Sequence, residues 1–272
     1  MASPTPTVIG IPWDANSSFL RGAAAAPALV REALFSPASN LWTEFDVDLG
    51  APGRLADAGD LELPDAGNAA DAIEHAVRRL MENGGAPLAI GGDHAVTYPV
   101  IRAVGSRHPA LTILHIDAHP DLYDEFGGNR LSHACPFARI MEEGLAARLV
   151  QVGVRTMNGH QREQARRFRV EVIDMRAWAA GTRPAAAGAV YVSIDLDGLD
   201  PAFAPGVSHR EPGGLSVRDV IGLVHALPAP PVGADIVEFN PSRDPAGLTA
   251  HVAAKLVKEL AGRMADAADR QV

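Results

Sequence analysis

The chain of 272 residues is 47% hydrophobic and carries 24 basic against 33 acidic side chains, a formal net charge of −9. That length suffices for one large core. The acidic balance argues against a nucleic-acid or anionic-membrane partner, since both surfaces need excess Lys and Arg. Cys135 is the single cysteine, so no internal disulfide can form, and nothing demands an oxidising compartment. No run reaches the ~18 apolar residues of a membrane span, and Met1-Ala2-Ser3-Pro4-Thr5-Pro6 lacks the basic-then-apolar order of a secretory leader. A cytoplasmic protein with no membrane attachment is expected.

In chain order, apolar runs at 7–11, 87–90, 111–116, 149–154, 170–173, 189–194 and 234–239 read as strands. Amphipathic stretches at 27–34, 69–82, 97–107, 136–147, 160–168, 216–227 and 249–267 read as helices. The alternation predicts an α/β fold, a three-layer α/β/α sandwich with a mostly parallel central sheet and right-handed crossovers. Segment 36–64, punctuated by Pro, Gly and Asp without periodicity, reads as an irregular excursion. It interrupts a single domain over 1–272 whose ends, 1–6 and 266–272, are expected to be flexible.

Four polar motifs each follow one of these strands: Gly91-Gly92-Asp93-His94, Asp117-Ala118-His119-Pro120-Asp121, Asp195-Leu196-Asp197 and Glu238-Phe239-Asn240-Pro241. Ligands of open α/β sheets gather beyond the carboxyl ends of strands, so the four motifs describe one site. On extended chain Asp117, His119 and Asp121 share a face, as do Asp195 and Asp197. Carboxylates crowded in this way are costly to desolvate without a cation. Four aspartates with two histidines exceed what one catalytic ion needs but suit two ions sharing bridging carboxylates. Oxygen donors with imidazole and no thiolate favour two Mn²⁺ per chain, with Ni²⁺, Co²⁺ or Zn²⁺ as less favoured occupants. Glu238 is free of that task and suits a planar, cationic guanidinium.

These motifs resemble the ureohydrolase superfamily, the arginases and agmatinases, over about Val8 to Leu260. Asn16-Ser17-Ser18-Phe19-Leu20, Ser132-His133-Ala134, 137–142 and 200–209 resemble its plant-type arginase branch. The resemblance implies an arginase-like fold in which His94, Asp117, Asp121 and Asp195 hold one Mn²⁺, and Asp117, His119, Asp195 and Asp197 the other. It further implies that Glu238 binds the guanidinium and His133 shuttles protons, with Asp121 beside them in the catalytic group. L-arginine cleaved to L-ornithine and urea is the expected reaction, with agmatine, giving putrescine and urea, as the alternative. A homotrimer or homohexamer is the implied assembly. Asp93 reads as a residue that positions a ligand by hydrogen bonding, and Cys135 as a small buried filler.

For the far end of the substrate the residues suggest Asn16 and Asn129, together with Tyr123, Asn158 and His160, and Arg21 or Arg155 for a carboxylate. Two other readings compete. A metal-dependent amidohydrolase or deacetylase of the same architecture would carry a paired-histidine signature absent here, and a catalytically dead scaffold would lack metal ligands, whereas all six are present.

Overall fold

The computed structural model describes residues 4–64 and 67–265. Eight strands among them form one sheet: β1 (Thr5–Ile11), β2 (Ala56–Asp60), β3 (Gly85–Gly91), β4 (Thr112–Ile116), β5 (Arg148–Val152), β6 (Glu171–Ile173), β7 (Val190–Asp195) and β8 (Gly233–Val237). Every pairing is parallel, in the order β2-β1-β3-β8-β7-β4-β5-β6. The helices are α1 (Ala26–Leu34), α2 (Ala69–Glu82), α3 (Thr97–Gly105), α4 (Pro136–Glu142), α5 (Gly159–Arg167), α6 (Met175–Ala179), α7 (Val217–His225) and α8 (Leu248–Ala265).

The period-2 alternation of strand side chains sorts the core into two layers. Val8, Leu88, Leu114, Val192 and Ile194 face Val30 of α1, Val220 and Val224 of α7, and Leu256 and Leu260 of α8. Ile9, Ala89, Ile113 and Tyr191 face Ile73 and Val77 of α2, Val100 and Val104 of α3, and Phe137 and Ile140 of α4. The three-layer sandwich expected from the sequence is therefore the observed architecture.

Local chemistry sets the element ends. Ser216 and Asp219 form a reciprocal capping box at the start of α7, and Asn158 and Gln161 do the same for α5. Helix α4 stops at Glu142, short of the expected 147, because Gly144 takes φ +65° and turns the chain out of the helix.

Three expectations are corrected. Strand β2 lies inside the stretch read as irregular; its sequence Ala-Asp-Ala-Gly-Asp is almost wholly exposed, so an edge strand held by backbone pairing to β1 leaves no hydrophobic pattern. Helix α6, five residues long, is capped by Asp174, whose carboxylate accepts the Arg176 and Ala177 N–H groups. Thr5 and Pro6, read as a flexible end, pair with Gly85 and Ala86; 1–3 and 266–272, including the last two residues of the expected 249–267 helix, lie outside the described residues.

The sheet order places the site. Strands β3, β8, β7 and β4 are consecutive across its centre, and the four polar motifs leave their carboxyl ends. From the adjacent strands β4 and β7 the chain leaves in opposite directions, to β5 on one side and to β8 on the other, and such a switch point opens a crevice for ligands.

Candidate active site

His94 sits in a single 3-10 turn after β3, with the Asp93 carboxylate capping that turn through the Ala95 N–H. Gly92 must be glycine, because a Cβ there would collide with the Trp13 carbonyl. The His94 ring is wholly buried, and its Nδ1 lies 3.3 Å from Asp117 Oδ2, 3.1 Å from Asp121 Oδ2 and 3.2 Å from Asp195 Oδ2. That nitrogen is a buried polar atom with no hydrogen-bond partner. Burial works against charge on His94, but the three carboxylates more than offset it and raise its pKa.

A second group lies beside the first. His119 Nδ1 is 3.1 Å from Asp197 Oδ2 and 3.4 Å from Asp117 Oδ1. Burial and mutual repulsion push the carboxyl of Asp195 well up and that of Asp197 up to about 7. Among the described residues, the groups able to hold a metal ion are His94-Asp117-Asp121-Asp195, Asp117-His119-Asp197 and His94-His115-Asp117. An orphaned imidazole nitrogen facing three carboxylate oxygens, next to acids that repel one another, fits a pair of divalent cations.

Two details depart from the expected ligand pattern. Asp117 belongs to both main groups, whereas Asp195 belongs only to the first; its Oδ1 accepts the Asp197 N–H at 2.7 Å. His115, read only as part of a strand, has its Nε2 2.8 Å from Asp117 Oδ2. Its Nδ1 meets the Gln151 Nε2 donor at 3.0 Å, which leaves Nε2 to donate to Asp117. Burial lowers the His115 pKa and keeps the ring neutral. The period-2 rule that groups Asp117, His119 and Asp121 already put His115 on their face.

His133 and Glu238 form the other half of the site. Their Nδ1···Oε1 distance is 2.8 Å, and Glu238 Oε1 also accepts the His94 N–H at 2.9 Å. The opposite ring nitrogen of His133 lies 2.8 Å from Ser18 Oγ. Burial opposes the imidazolium, yet the Glu238 charge pushes the His133 pKa up to about 9, while Glu238 itself is held below its ordinary value. Asp121 and Glu238 have φ of 47° and 66°, left-handed conformations rare outside glycine and frequent where a site dictates backbone geometry.

A cleft of about 170 Å³ opens over these groups, lined by Asp121, His119, His133, Asp195, Asp197 and Glu238 and walled by Ser18, Tyr123, Phe126, Thr156, Gln161 and His209. A larger cavity of about 490 Å³ lies between Trp178 and α7, but no metal-ligating group among the described residues falls there. His209, left without a role by the sequence reading, packs its ring 5.4 Å from that of His133 and 5.9 Å from that of His119.

The substrate-tail residues fare differently. Asn16 and Asn129 do not line the cleft; they bond to each other, Asn129 Nδ2 donating to Asn16 Oδ1 at 2.9 Å. Tyr123 does line it, its hydroxyl accepting from Asn158 Nδ2 at 2.7 Å and its ring stacked on His160. Arg155 is not available to a carboxylate, because its guanidinium donates to the carbonyls of Gly153, Asp197, Gly198, Leu199 and Glu211. Arg21 donates to the Ala15 carbonyl. Asp93, whose Oδ1 caps the turn that carries His94, also uses Oδ2 to bind the Asn16 N–H and the Ser17 hydroxyl, and so fixes the loop that carries Ser18 to His133.

An all-parallel α/β sandwich with paired carboxylate–imidazole groups at its central strand ends is the class of protein whose sheet-end site could hold divalent metal ions. The Arginase family model matches residues 5–262, and the chain belongs to the arginase family. It is 49% identical over 281 residues to "Arginase 1, mitochondrial" of Arabidopsis thaliana, covering 97% of this chain and 82% of that protein. To that plant's "Arginase 2, chloroplastic/mitochondrial" it is 48% identical, with 97% and 81% covered. The solved arginase from Medicago truncatula superposes with a TM-score of 0.90 at 43% identity, covering 97% of this chain and 88% of that one. These names correct the cytoplasmic expectation: the relatives are mitochondrial or chloroplastic proteins, and the opening residues do not decide location. No helix among the described residues is long and apolar enough to cross a membrane.

Proposed function

We propose that the whole chain acts as one ureohydrolase domain that cleaves L-arginine to L-ornithine and urea with two Mn²⁺ ions. The observation that carries this reading is the convergence of two carboxylate–imidazole groups sharing Asp117 with the His133–Glu238 pair over one cleft, in a chain of the arginase family. His94, Asp117, Asp121 and Asp195 would hold one ion, and Asp117, His119, Asp195 and Asp197 the other. When bound, such a pair lowers the pKa of water from 15.7 towards ~7 and so supplies a nucleophile at neutral pH.

The chain's own residues do the rest. Glu238 presents a buried carboxylate to the guanidinium, its backbone fixed by the Gly92 carbonyl and its Oε1 by the His94 N–H. His133, held between Ser18 and Glu238, carries a proton at one ring nitrogen and delivers it to the departing amine. Asp121 stands on the same cleft wall and accepts a proton from the attacking water. Tyr123, Phe126 and His209 wall the cleft against bulk water.

One observation favours agmatine as the second substrate. Neither Arg nor Lys lines the cleft among the described residues, so a substrate carboxylate would meet neutral donors. Urea release from arginine and from agmatine by the Mn²⁺-loaded protein decides between them. Turnover of arginine at least tenfold above agmatine is expected, and no urea from either would overturn the assignment. A homotrimer or homohexamer is the assembly proposed with this function, read out by light scattering on the purified protein.

A further inference from the structure

A row of buried polar side chains runs beneath the site, on the sheet face that packs against α3. Asp235 of β8 is fully buried and sits opposite Ser193 of β7 in the sheet register. Its carboxylate receives three hydroxyls: Ser193 at 2.6 Å on Oδ1, with Tyr191 at 2.8 Å and Thr97 at 3.0 Å on Oδ2. Ser193 Oγ in turn lies 3.0 Å from His94 Nε2. Thr97, His94, Tyr191, Ser193 and Asp235 are all fully buried.

The count of protons fixes the direction of the chain. Ser193 has one hydroxyl hydrogen, and with Asp235 ionised, as its three hydroxyl partners favour, that hydrogen goes to Asp235. Towards His94 the serine oxygen can then only accept, so His94 Nε2 must carry the ring proton. The lone pair of the neutral ring is thereby placed on Nδ1, the atom that faces Asp117, Asp121 and Asp195 and has no other partner.

We propose that Asp235 and Ser193 are positioning residues that lock His94 in the tautomer with its Nδ1 lone pair open to a divalent cation, through the relay Asp235–Ser193–His94. Outer groups that orient a ligating imidazole govern metal affinity by 10- to 100-fold. The relay rests on the reading of His94 as a metal ligand, and its test separates the two.

Thr97 supplies the control. It bonds the same carboxylate but leads away from His94, so Thr97→Val removes a buried hydrogen bond of equal standing without breaking the relay. Metal-free wild type, Ser193→Ala and Thr97→Val are titrated with Mn²⁺ by calorimetry against a competing chelator, with thermal melts of each metal-free protein alongside. Both variants should melt below wild type. Ser193→Ala should bind its tighter or weaker Mn²⁺ with a Kd raised 10- to 100-fold, while Thr97→Val stays within threefold. Ser193→Cys, close in volume but a poor acceptor, shifts affinity in the same sense and replaces Ser193→Ala if that variant does not fold. Wild-type affinity in the Ser193 variants, or an equal loss in Thr97→Val, would overturn the relay. Wild type that takes up no Mn²⁺ would instead overturn the reading of His94 as a ligand, and the relay with it.

Discussion

His133 and Glu238, 105 residues apart, meet through a 2.8 Å bond between Nδ1 and Oε1, which makes one unit of the residue expected to move protons and the residue expected to hold the guanidinium. The pair is buried, and Glu238 holds a second contact to the backbone N–H of the metal-site histidine, His94. One carboxylate oxygen thus ties the His133 ring to the turn that carries His94.

Replacing Glu238 by Gln keeps the shape and removes the charge. Losing one partner of a buried charge pair costs about 3–5 kcal/mol, so kcat/KM for the guanidino substrate should fall roughly 10²- to 4 × 10³-fold at 1.4 kcal/mol per tenfold. Steady-state urea release checks this, and activity within threefold of wild type would refute the role.

Substituting His133 by Asn should lower kcat by roughly 10²- to 10⁴-fold, the range for a positioned acid–base group. Bound Mn²⁺, measured by elemental analysis, should not change, because His133 lies in none of the metal-ligating groups. A loss of metal equal to the loss of activity would assign His133 to the metal site instead.

The His133–Glu238 pair also sets a pH window for the stability of the metal-free protein. The folded pKa of His133 is about 9 against an ordinary 6.5. Its contribution is therefore complete below 6.5 and disappears as pH rises through about 9. Glu238 is shifted down from 4.5, so its contribution is complete above 4.5 and is lost as pH falls through the lowered value. The stability difference between wild type and His133→Asn, from urea denaturation, should peak between pH 4.5 and 6.5 and vanish above about 9. A difference that does not vary with pH would contradict the pairing.

Chelation should destabilise the protein, because Asp195 and Asp197 repel each other and Asp117 when no cation stands among them. Mn²⁺ at 100 times its Kd should restore about 2.7 kcal/mol, seen as a rise in melting temperature. A melting temperature indifferent to both treatments would remove the metal site.

Arg155→Lys tests the loop that carries Asp197. Lysine lacks the planar fork and cannot reach the carbonyls of Gly153, Asp197, Gly198, Leu199 and Glu211 together. With unsatisfied buried acceptors costing about 1–3 kcal/mol each, a loss of at least about 2 kcal/mol is expected in denaturant unfolding. An unchanged midpoint would show that the guanidinium clamp contributes nothing.

The sequence by itself determined the class of fold and the chemical inventory of the site. Buried parallel strands such as Leu111 to Ile116 are largely apolar, and that run is visible in one dimension, as are Asp117, His119 and Asp121 at its end. Strand β2 left no trace because an exposed edge needs only backbone pairing. Tertiary structure alone decided which distant groups meet. Ser193 and Asp235 read as ordinary strand positions until the β7–β8 register set them opposite each other beneath His94. Arg155 read as a free cation until the fold surrounded it with carbonyls, and Asn16 and Asn129 as substrate contacts until they bonded each other. Side-chain type follows from local sequence; its hydrogen-bond partner depends on strand order and register, which bring residues a hundred positions apart to within 3 Å.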